Sequence, residues 1–434
     1  MDDSISIHVT SLGCPKNLTD TETVLALIKN AFEKTLFSKD PEDADLILVN
    51  TCAFIEDAVS ESVETILELS KGKRTDQRIV VFGCLPLRYG RQLEGLFPEV
   101  DSFVFHVEPS SIASKILRLL NKKEGPEASQ NERVITGRPW QVFVKVSDGC
   151  SNRCTYCMIP KIRGNLRCRS PEDIVSEING AVEIGAREIT LVAQDLTGYK
   201  RGNTNLVGLV EKILAETEVP WLRLMYLYPD GITNELLRLI SSEERICKYL
   251  DIPIQHASPR ILKRMGRSAS SLVLDKTMER IKRFLPDASL RTTVMVGFPG
   301  EEEEDFKILL EFIRRWRFHH LGCFIYSDEE EAPSHAFMDK VNQETSKRRK
   351  QQIMELQKGI SRSINRGFVG KEVDVLVDGY CQESDLLLCG RTRFQAPGVD
   401  GITYINKGIS EEGALSRVRI TQAHDYDLVG EIVD

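Results

Sequence analysis

Three cysteines fall within eight residues of this chain, in Gly149-Cys150-Ser151-Asn152-Arg153-Cys154-Thr155-Tyr156-Cys157. Their spacing is Cys-x3-Cys-x2-Cys, and a strand candidate, Gln141–Val146, leads into the loop. Three thiolates on one short loop can grip three corners of a cubic iron–sulfur cluster. A structural zinc site wants a fourth Cys or His nearby. Here the next cysteine, Cys168, lies eleven residues on, and the nearest histidines in sequence, His106 and His256, are remote. One iron is left without an obvious protein ligand and open to a small molecule. A redox Cys-x2-Cys pair and an incomplete zinc knuckle are the other readings of this spacing.

The rest of the chain divides around that loop. From the start to about Leu120, strand candidates (Ile5–Thr10, Leu46–Val49, Ile79–Phe82) alternate with helical patterns (Thr21–Ile28, Ala58–Leu69), which predicts a parallel α/β sheet. A polar stretch without periodicity, from Asn121 to Asn131, reads as a linker. From Gln141 to Tyr326 six strand candidates recur: Gln141–Val146, Glu188–Ala193, Trp221–Tyr228, Cys247–Ile254, Arg291–Gly297 and Gly322–Tyr326. Six βα units are too few for a closed eight-fold barrel and point to an open partial barrel or a doubly wound sheet, with the ligand site at the C-terminal strand ends. After a basic helical stretch, Glu344–Arg366, five short β-rich runs between Phe368 and Asp434 suggest a small antiparallel barrel. The expected division is an N-terminal domain 1–121, a linker 122–135, a central domain 136–366 and a C-terminal domain 367–434.

A second set of cysteines is scattered in sequence but shares one setting. Cys14, Cys52 and Cys84 each come just after a strand candidate, in Ser11-Leu12-Gly13-Cys14, Val49-Asn50-Thr51-Cys52 and Phe82-Gly83-Cys84. In a parallel sheet the C-terminal strand ends share one edge, so the three thiols are expected to converge on one crevice. The other reading is three separate buried cysteines. Cys247, Cys323, Cys381 and Cys389 lie in or beside strand candidates and read as core packing.

The loop Cys150–Cys157 with its downstream βα units resembles the radical S-adenosylmethionine (SAM) superfamily. The resemblance implies a partial (β/α)6 barrel, a [4Fe–4S] cluster on Cys150, Cys154 and Cys157, and SAM chelated at the open iron and cleaved to a 5′-deoxyadenosyl radical. It also implies SAM contacts at the turn after Arg291–Gly297 and at Gln194 and Asp195, where an ordinary strand-to-helix turn is the alternative. Ser11-Leu12-Gly13-Cys14-Pro15-Lys16-Asn17, Asn50-Thr51-Cys52, Gly83-Cys84 and Gly149–Cys157 together resemble the methylthiotransferases of that superfamily. That implies a second [4Fe–4S] cluster on Cys14, Cys52 and Cys84 and a C-terminal barrel of the TRAM type. Asp251-Ile252-Pro253-Ile254-Gln255-His256-Ala257-Ser258 and the stretch Gly390–Gly401 are similar to the RimO type, which modifies an aspartate of protein twelve of the small ribosomal subunit. The MiaB type, which modifies a tRNA adenosine, is the alternative, and a non-catalytic iron–sulfur RNA-binding protein is the alternative of another class. Two places depart from the family pattern: Cys168, where Ser is usual, and Glu329-Glu330-Glu331-Ala332, where Glu-Glu-Gly-Thr is usual.

On this reading a methylthio group replaces a hydrogen on an aspartate β-carbon. That C–H bond is unactivated, so a carbon radical derived from SAM, rather than a side-chain base, must break it. The cluster ligands are the only catalytic residues the resemblance supplies, and SAM side-chain contacts stay unassigned. His256 is expected to face SAM or substrate, or to be a buried structural histidine.

Charge separates the two substrates. The segment Phe368–Asp434 carries 6 Lys plus Arg against 12 Asp plus Glu, a net −6, within a chain of net charge −8. RNA binding needs cations to displace condensed counterions. An acidic barrel instead suits a basic ribosomal protein. The expected partners are therefore that substrate and an electron donor, with neither tRNA nor a membrane. The acidic start Met1-Asp2-Asp3-Ser4 lacks the pattern of a signal peptide, no apolar run approaches a membrane span, and eleven cysteines is an odd count. These features predict a cytoplasmic protein with reduced thiols. Lys347-Arg348-Arg349-Lys350 reads as a solvated helix face rather than a phosphate-binding patch.

Overall fold

The structure is a computed structural model that describes residues 4–123, 132–267, 271–381 and 384–433. The chain forms two compact units. The first comprises residues up to 136 with 143–152 and 157–180, and the second comprises 137–142, 153–156 and 181 onward.

The first unit is built on a five-stranded sheet. Its strands are β1 (Ser4–Ser11), β2 (Lys34–Phe37), β3 (Leu46–Thr51), β4 (Arg78–Gly83) and β5 (Ser102–Phe103), in the order β2-β1-β3-β4-β5 and parallel throughout. All six residues of β3 are buried, because a central parallel strand is covered on both faces. Helix Pro15–Lys29 connects β1 to β2 and helix Glu56–Lys71 connects β3 to β4, so the chain winds in opposite directions from β1 and β3, and helix Pro109–Leu119 follows β5. The switch point of this order lies between β1 and β3, where a doubly wound sheet opens a crevice beyond its strand ends. Ile5, Ile7, Leu46, Leu48, Val80 and Phe82 pack with Val24, Leu25, Ile28, Ile112 and Ile116 as one core.

Of the expected linker 122–135, residues 124–131 lie outside the described residues. Its end is tied down: the Val134 N–H donates to the Glu22 carbonyl, and buried Arg133 pairs with Glu22 and with Glu177. The same unit holds a short ribbon, β7 (Ser147–Asp148) against β8 (Arg167–Cys168), which follows β6 (Gln141–Lys145).

In the second unit six strands follow one another in chain order. They form two three-stranded sheets: β6, whose first two residues belong to this unit, with β9 (Glu188–Val192) and β12 (Trp221–Leu224), and β13 (Tyr249–Asp251) with β14 (Ser289–Val296) and β15 (His320–Ile325). The pairs β9–β12, β13–β14 and β14–β15 are parallel, and an isolated parallel bridge pairs Leu222 of β12 with Ile246, just before β13. Six sequential strands that do not close are the expected partial (β/α)6 barrel. Between β9 and β12 lies a small hairpin of β10 (Lys200–Arg201) and β11 (Thr204–Asn205).

The C-terminal segment is a closed barrel of β16 (Glu372–Cys381), β17 (Ser384–Thr392), β18 (Thr403–Lys407), β19 (Leu415–Ala423) and β20 (Leu428–Ile432), ordered β16-β17-β18-β20-β19. Four junctions are antiparallel as expected, and the fifth, β18 with β20, is parallel. The parallel junction follows from parity, since five strands in a ring cannot all alternate direction. Val375, Val377, Leu388, Ile405, Val418 and Ile420 fill the interior.

This barrel seats on the N-terminal ends of the central strands. Glu188, the first residue of β9, accepts from Arg223 of β12 at 2.6 Å and from Arg391 of β17 at 2.6 Å. Arg391 also pairs with Asp378 at 2.9 Å, and Asp378 is reached by Arg138 at 3.0 Å. All four residues of the Arg223–Glu188–Arg391–Asp378 chain are buried.

Candidate functional site

Cys14, Cys52 and Cys84 follow β1, β3 and β4, so the first two flank the switch point and the third is one strand further on. Two asparagines knit these strand ends together. Asn17 Nδ2 donates to the carbonyls of Leu12 and Thr51, each at 3.0 Å, while Asn50 Nδ2 donates to the Asn17 carbonyl at 2.8 Å and Thr21 Oγ1 at 2.9 Å. Thr51 Oγ1 donates to the Phe82 carbonyl and accepts from the Leu85 N–H, which binds β3 to the turn carrying Cys84. Ser62 Oγ closes on Cys52 from the next helix, accepting from its N–H and donating to its carbonyl.

Two glycines make the convergence sterically possible. Gly13 has φ +87°, and a Cβ there would lie 2.8 Å from Cys52 Cβ and 3.0 Å from its sulfur. Gly83 has φ +93°, and a Cβ there would meet Asn50 Oδ1 at 2.1 Å. Both positions need a residue without a side chain. The thiols are close enough to feel one another. Burial pushes the Cys52 thiol up to about 11, and the neighbouring charges of Cys84 and Cys14 add to that rise. Burial also raises Cys84, opposed by the Arg163 guanidinium. The expected juxtaposition is therefore present, on residues of a single compact unit.

Three thiols brought together from three strand ends are a donor set that suits an iron–sulfur cluster. Among the described residues no three His, Cys, Asp or Glu side chains lie close enough to hold one mononuclear ion.

The loop of the other set is divided between the units. In the first, Gly149 (φ +70°) would bring a Cβ to 2.3 Å from the Asn165 carbonyl oxygen, and the Cys150 N–H donates to the Gly164 carbonyl at 3.1 Å. Cys157 belongs to the same unit. In the second, Arg153–Tyr156 is pinned to the segment after β13: the Thr155 N–H donates to the Met265 carbonyl, and Thr155 Oγ1 donates to that of Arg264. Tyr156 stands edge-on to Phe298 at 6.4 Å, and its hydroxyl accepts from buried Arg267, whose charge also senses Cys154. Cys168 lies in the ribbon opposite Ser147. Cys247, Cys323, Cys381 and Cys389 are buried, as expected of core residues.

The C-terminal ends of the central strands carry the remaining candidates. Asp195 caps its own turn, its carboxylate accepting from Thr197 Oγ1 at 2.6 Å and the Gly198 N–H at 3.3 Å. His256 is fully buried. Its Nδ1 accepts from the Ser258 N–H at 2.9 Å, so Nε2 carries the proton, yet Nε2 has no hydrogen-bond partner. Burial lowers its pKa to about 3, so the ring is neutral. The turn after β14 is organised by Glu301, whose carboxylate accepts from the N–H groups of Gly297 and Phe298 and pairs with Arg349 at 2.9 Å.

Sequence reasoning missed Arg349 and Arg163. Arg349 belongs to the run read as a solvated helix face, but its side chain is only 4% exposed and turns inward to Glu301. Asp305 accepts from the Glu302 N–H at the start of helix Glu303–Trp316, so the acidic run Glu301–Asp305 forms that helix's N-terminus.

The barrel leaves few cations for a polyanion. Arg391 is buried in its ion pairs, and Arg393 lies over the Trp221 ring at 5.4 Å. On the surface Arg417 pairs with Asp374 at 3.0 Å and Arg419 with Glu372 at 2.8 Å. No described helix is long and apolar enough to cross a membrane.

Comparison with known proteins gives the same three-part order. The chain matches the radical SAM superfamily over residues 144–313, the family described as uncharacterized protein family UPF0004 over 6–105, and the TRAM domain over 369–433. Among solved structures it is similar to the radical SAM methyltransferase TsrM of Kitasatospora setae, at TM-score 0.55, 15% identity and 75% of each chain, a likeness of fold alone. It is 44% identical to the ribosomal protein uS12 methylthiotransferase RimO of Desulfotalea psychrophila over 99% of both chains. It is 41% identical to the proteins of that name from Geotalea uraniireducens and Geobacter sulfurreducens, over 98% of each chain. An iron–sulfur cluster and SAM accordingly belong to its chemistry. Identity at this level over whole chains, on a fold that brings the expected N-terminal cysteines together, makes the chain a member of the RimO family of radical SAM methylthiotransferases.

Proposed function

We propose that this enzyme adds a methylthio group to the β-carbon of an aspartate in ribosomal protein uS12, using two [4Fe–4S] clusters and SAM. The observation that carries the reading is the convergence of Cys14, Cys52 and Cys84 in a crevice shaped by Gly13, Gly83, Asn17 and Asn50. A radical SAM enzyme that only cleaved SAM would need the loop cysteines alone, whereas a sulfur-transferring enzyme needs a second place to hold sulfur. Cys150, Cys154 and Cys157 would hold the SAM cluster, and Cys14, Cys52 and Cys84 the auxiliary one. When bound, the two groups supply a one-electron reductant for SAM and a sulfur atom for transfer.

The protein's own residues hold the thiols at these positions. The chain sits in the cytoplasm on this reading and takes its electrons from an electron donor. The matches at 6–105, 144–313 and 369–433 fall inside the proposed domains 1–121, 136–366 and 367–434 and support that division. The acidic barrel, in which Arg391 is buried and Arg417 and Arg419 are ion-paired, supports a basic protein substrate over tRNA.

The test is anaerobic reconstitution and reduction with SAM and sulfide, offering separately a uS12 loop peptide and an unmodified tRNA anticodon stem. Mass spectrometry should find methylthio addition on the peptide aspartate alone. Cys52→Ala should abolish that product while SAM cleavage persists, and Cys154→Ala should abolish both. Addition to the adenosine would overturn the substrate, and product from Cys52→Ala would overturn the second cluster.

A further inference from the structure

Arg163 is buried within the first compact unit, 4% exposed. Its Nη1 donates to Asp20 Oδ2 at 2.7 Å and Asp148 Oδ2 at 3.1 Å, and its Nη2 donates to Asn17 Oδ1 at 2.7 Å. The same Nη2 lies 3.8 Å from the Cys84 sulfur. The residue after it, Gly164, accepts from the Cys150 N–H at 3.1 Å. Two consecutive residues therefore touch one member of each cysteine set.

Neutralising carboxylates does not account for this geometry. Lys145 already pairs with both Asp20 and Asp148. The second arm of the Arg163 fork points away from those carboxylates toward an amide oxygen and a sulfur. Asn17 is fixed in turn by its bonds to Leu12 and Thr51, on the strand ends that carry Cys14 and Cys52. A guanidinium is always charged, and its planar fork holds donors in fixed directions.

We propose that Arg163 is a positioning residue for the cluster at Cys14, Cys52 and Cys84: held by Asn17, Asp20 and Asp148, its guanidinium hydrogen-bonds the Cys84 sulfur and raises that cluster's reduction potential. This rests on the reading of those cysteines as cluster ligands. One-electron reduction adds negative charge to the cluster, and a fixed buried cation with a hydrogen bond to a ligand sulfur favours the reduced form.

The test uses full-length protein with Cys150, Cys154 and Cys157 changed to Ala, so that only the auxiliary set can load. Iron is counted after anaerobic reconstitution, and the midpoint potential is read by electron paramagnetic resonance during a dithionite titration. Arg163→Gln should lower the midpoint by at least a tenfold change in the reduced-to-oxidised ratio, about 59 mV for one electron. Arg163→Lys, which keeps the charge, should move it less. Because Arg163→Gln leaves Asp20 less compensated, Arg163→Met with Asp20→Asn serves as the second variant and should also shift downward. Unchanged midpoints with full iron would overturn the role of Arg163 while leaving the ligand reading intact. Loss of iron from both of those variants would make Arg163 a structural residue and also overturn the proposal. No iron in the protein that keeps Arg163 would overturn the ligand reading and the proposal with it.

Discussion

The two edges of the central strands obey different rules. At the N-terminal edge both oxygens of Glu188 are paired with buried guanidiniums, Asp378 takes Arg391, Arg138 and the Trp140 indole N–H, and Tyr249 hydrogen-bonds Asp400 at 2.7 Å. At the C-terminal edge His256 keeps a buried donor without a partner, and Tyr226 and Gln255 adopt φ of +62° and +67°. Only four non-glycine residues among those described have positive φ, and the other two, Asn121 and Arg317, lie just beyond helix ends. Unsatisfied donors and left-handed backbone cost free energy, so they persist where another requirement outweighs stability. The N-terminal edge secures the barrel, although Arg223 Nη2 is a buried donor without a partner there too; of the two edges it is the C-terminal one, where α/β folds bind ligands, that carries the left-handed non-glycine backbone.

The largest break in that contrast is at Glu188. Its removal leaves Arg223 and Arg391 facing each other without their shared counter-ion, and breaking a buried pair this way costs about 3–5 kcal/mol. Glu188→Ala should lower stability to chemical denaturation by that amount and free the barrel segment to protease. SAM cleavage per folded molecule should be unchanged. A variant as stable as the parent would show that the network adds nothing to docking, and lost SAM cleavage in folded protein would show that the two edges are not independent.

Much of this was legible because the informative residues are close in sequence or follow strands. The loop cysteines announce themselves by spacing, and Cys14, Cys52 and Cys84 by sitting after apolar runs that the structure makes β1, β3 and β4. The edge strands β2 and β5 were not legible: β2 is largely exposed and β5 is two residues long, so neither carries an apolar pattern. Arg163 and Asn17 are 146 positions apart, and Glu188 and Arg391 are 203 apart. No local periodicity reports such pairs. The buried Arg349 had a faint signal, because a cation within an amphipathic helix can fall on the inward face, but its partner Glu301 is 48 positions away.

His256 sharpens the contrast through pH. The unfolded imidazole titrates near its ordinary 6.5, whereas burial holds the folded ring to about 3. Between these values the unfolded chain binds a proton that the folded chain does not, so stability is present above pH 6.5 and is lost as pH falls. The loss from this residue should reach about 1 kcal/mol between pH 6.5 and 5.5. His256→Asn keeps an acceptor for the Ser258 N–H but cannot titrate. The stability gap between parent and variant, measured by urea unfolding, should therefore change in the variant's favour by that amount over the same interval. A gap independent of pH would mean that the ring is charged, or solvated, in the folded protein.

The smallest effect isolates backbone strain. Gln255 holds left-handed backbone while its N–H donates to the Thr293 carbonyl at 2.9 Å and its carbonyl accepts from the Met295 N–H at 2.7 Å. Those bonds make it an extra parallel bridge beside β14 and fix its conformation. A side chain there costs roughly 1 kcal/mol that glycine would not, partly offset by the greater freedom of glycine in the unfolded chain. Gln255→Gly should thus be neutral to slightly stabilising, by less than about 1 kcal/mol. If this edge keeps its strain for function, the same variant should lose methylthio product without losing stability. Equal stability and equal product would show that Gln255 is strained without consequence for the chemistry, and that its left-handed backbone does not set this edge apart in function.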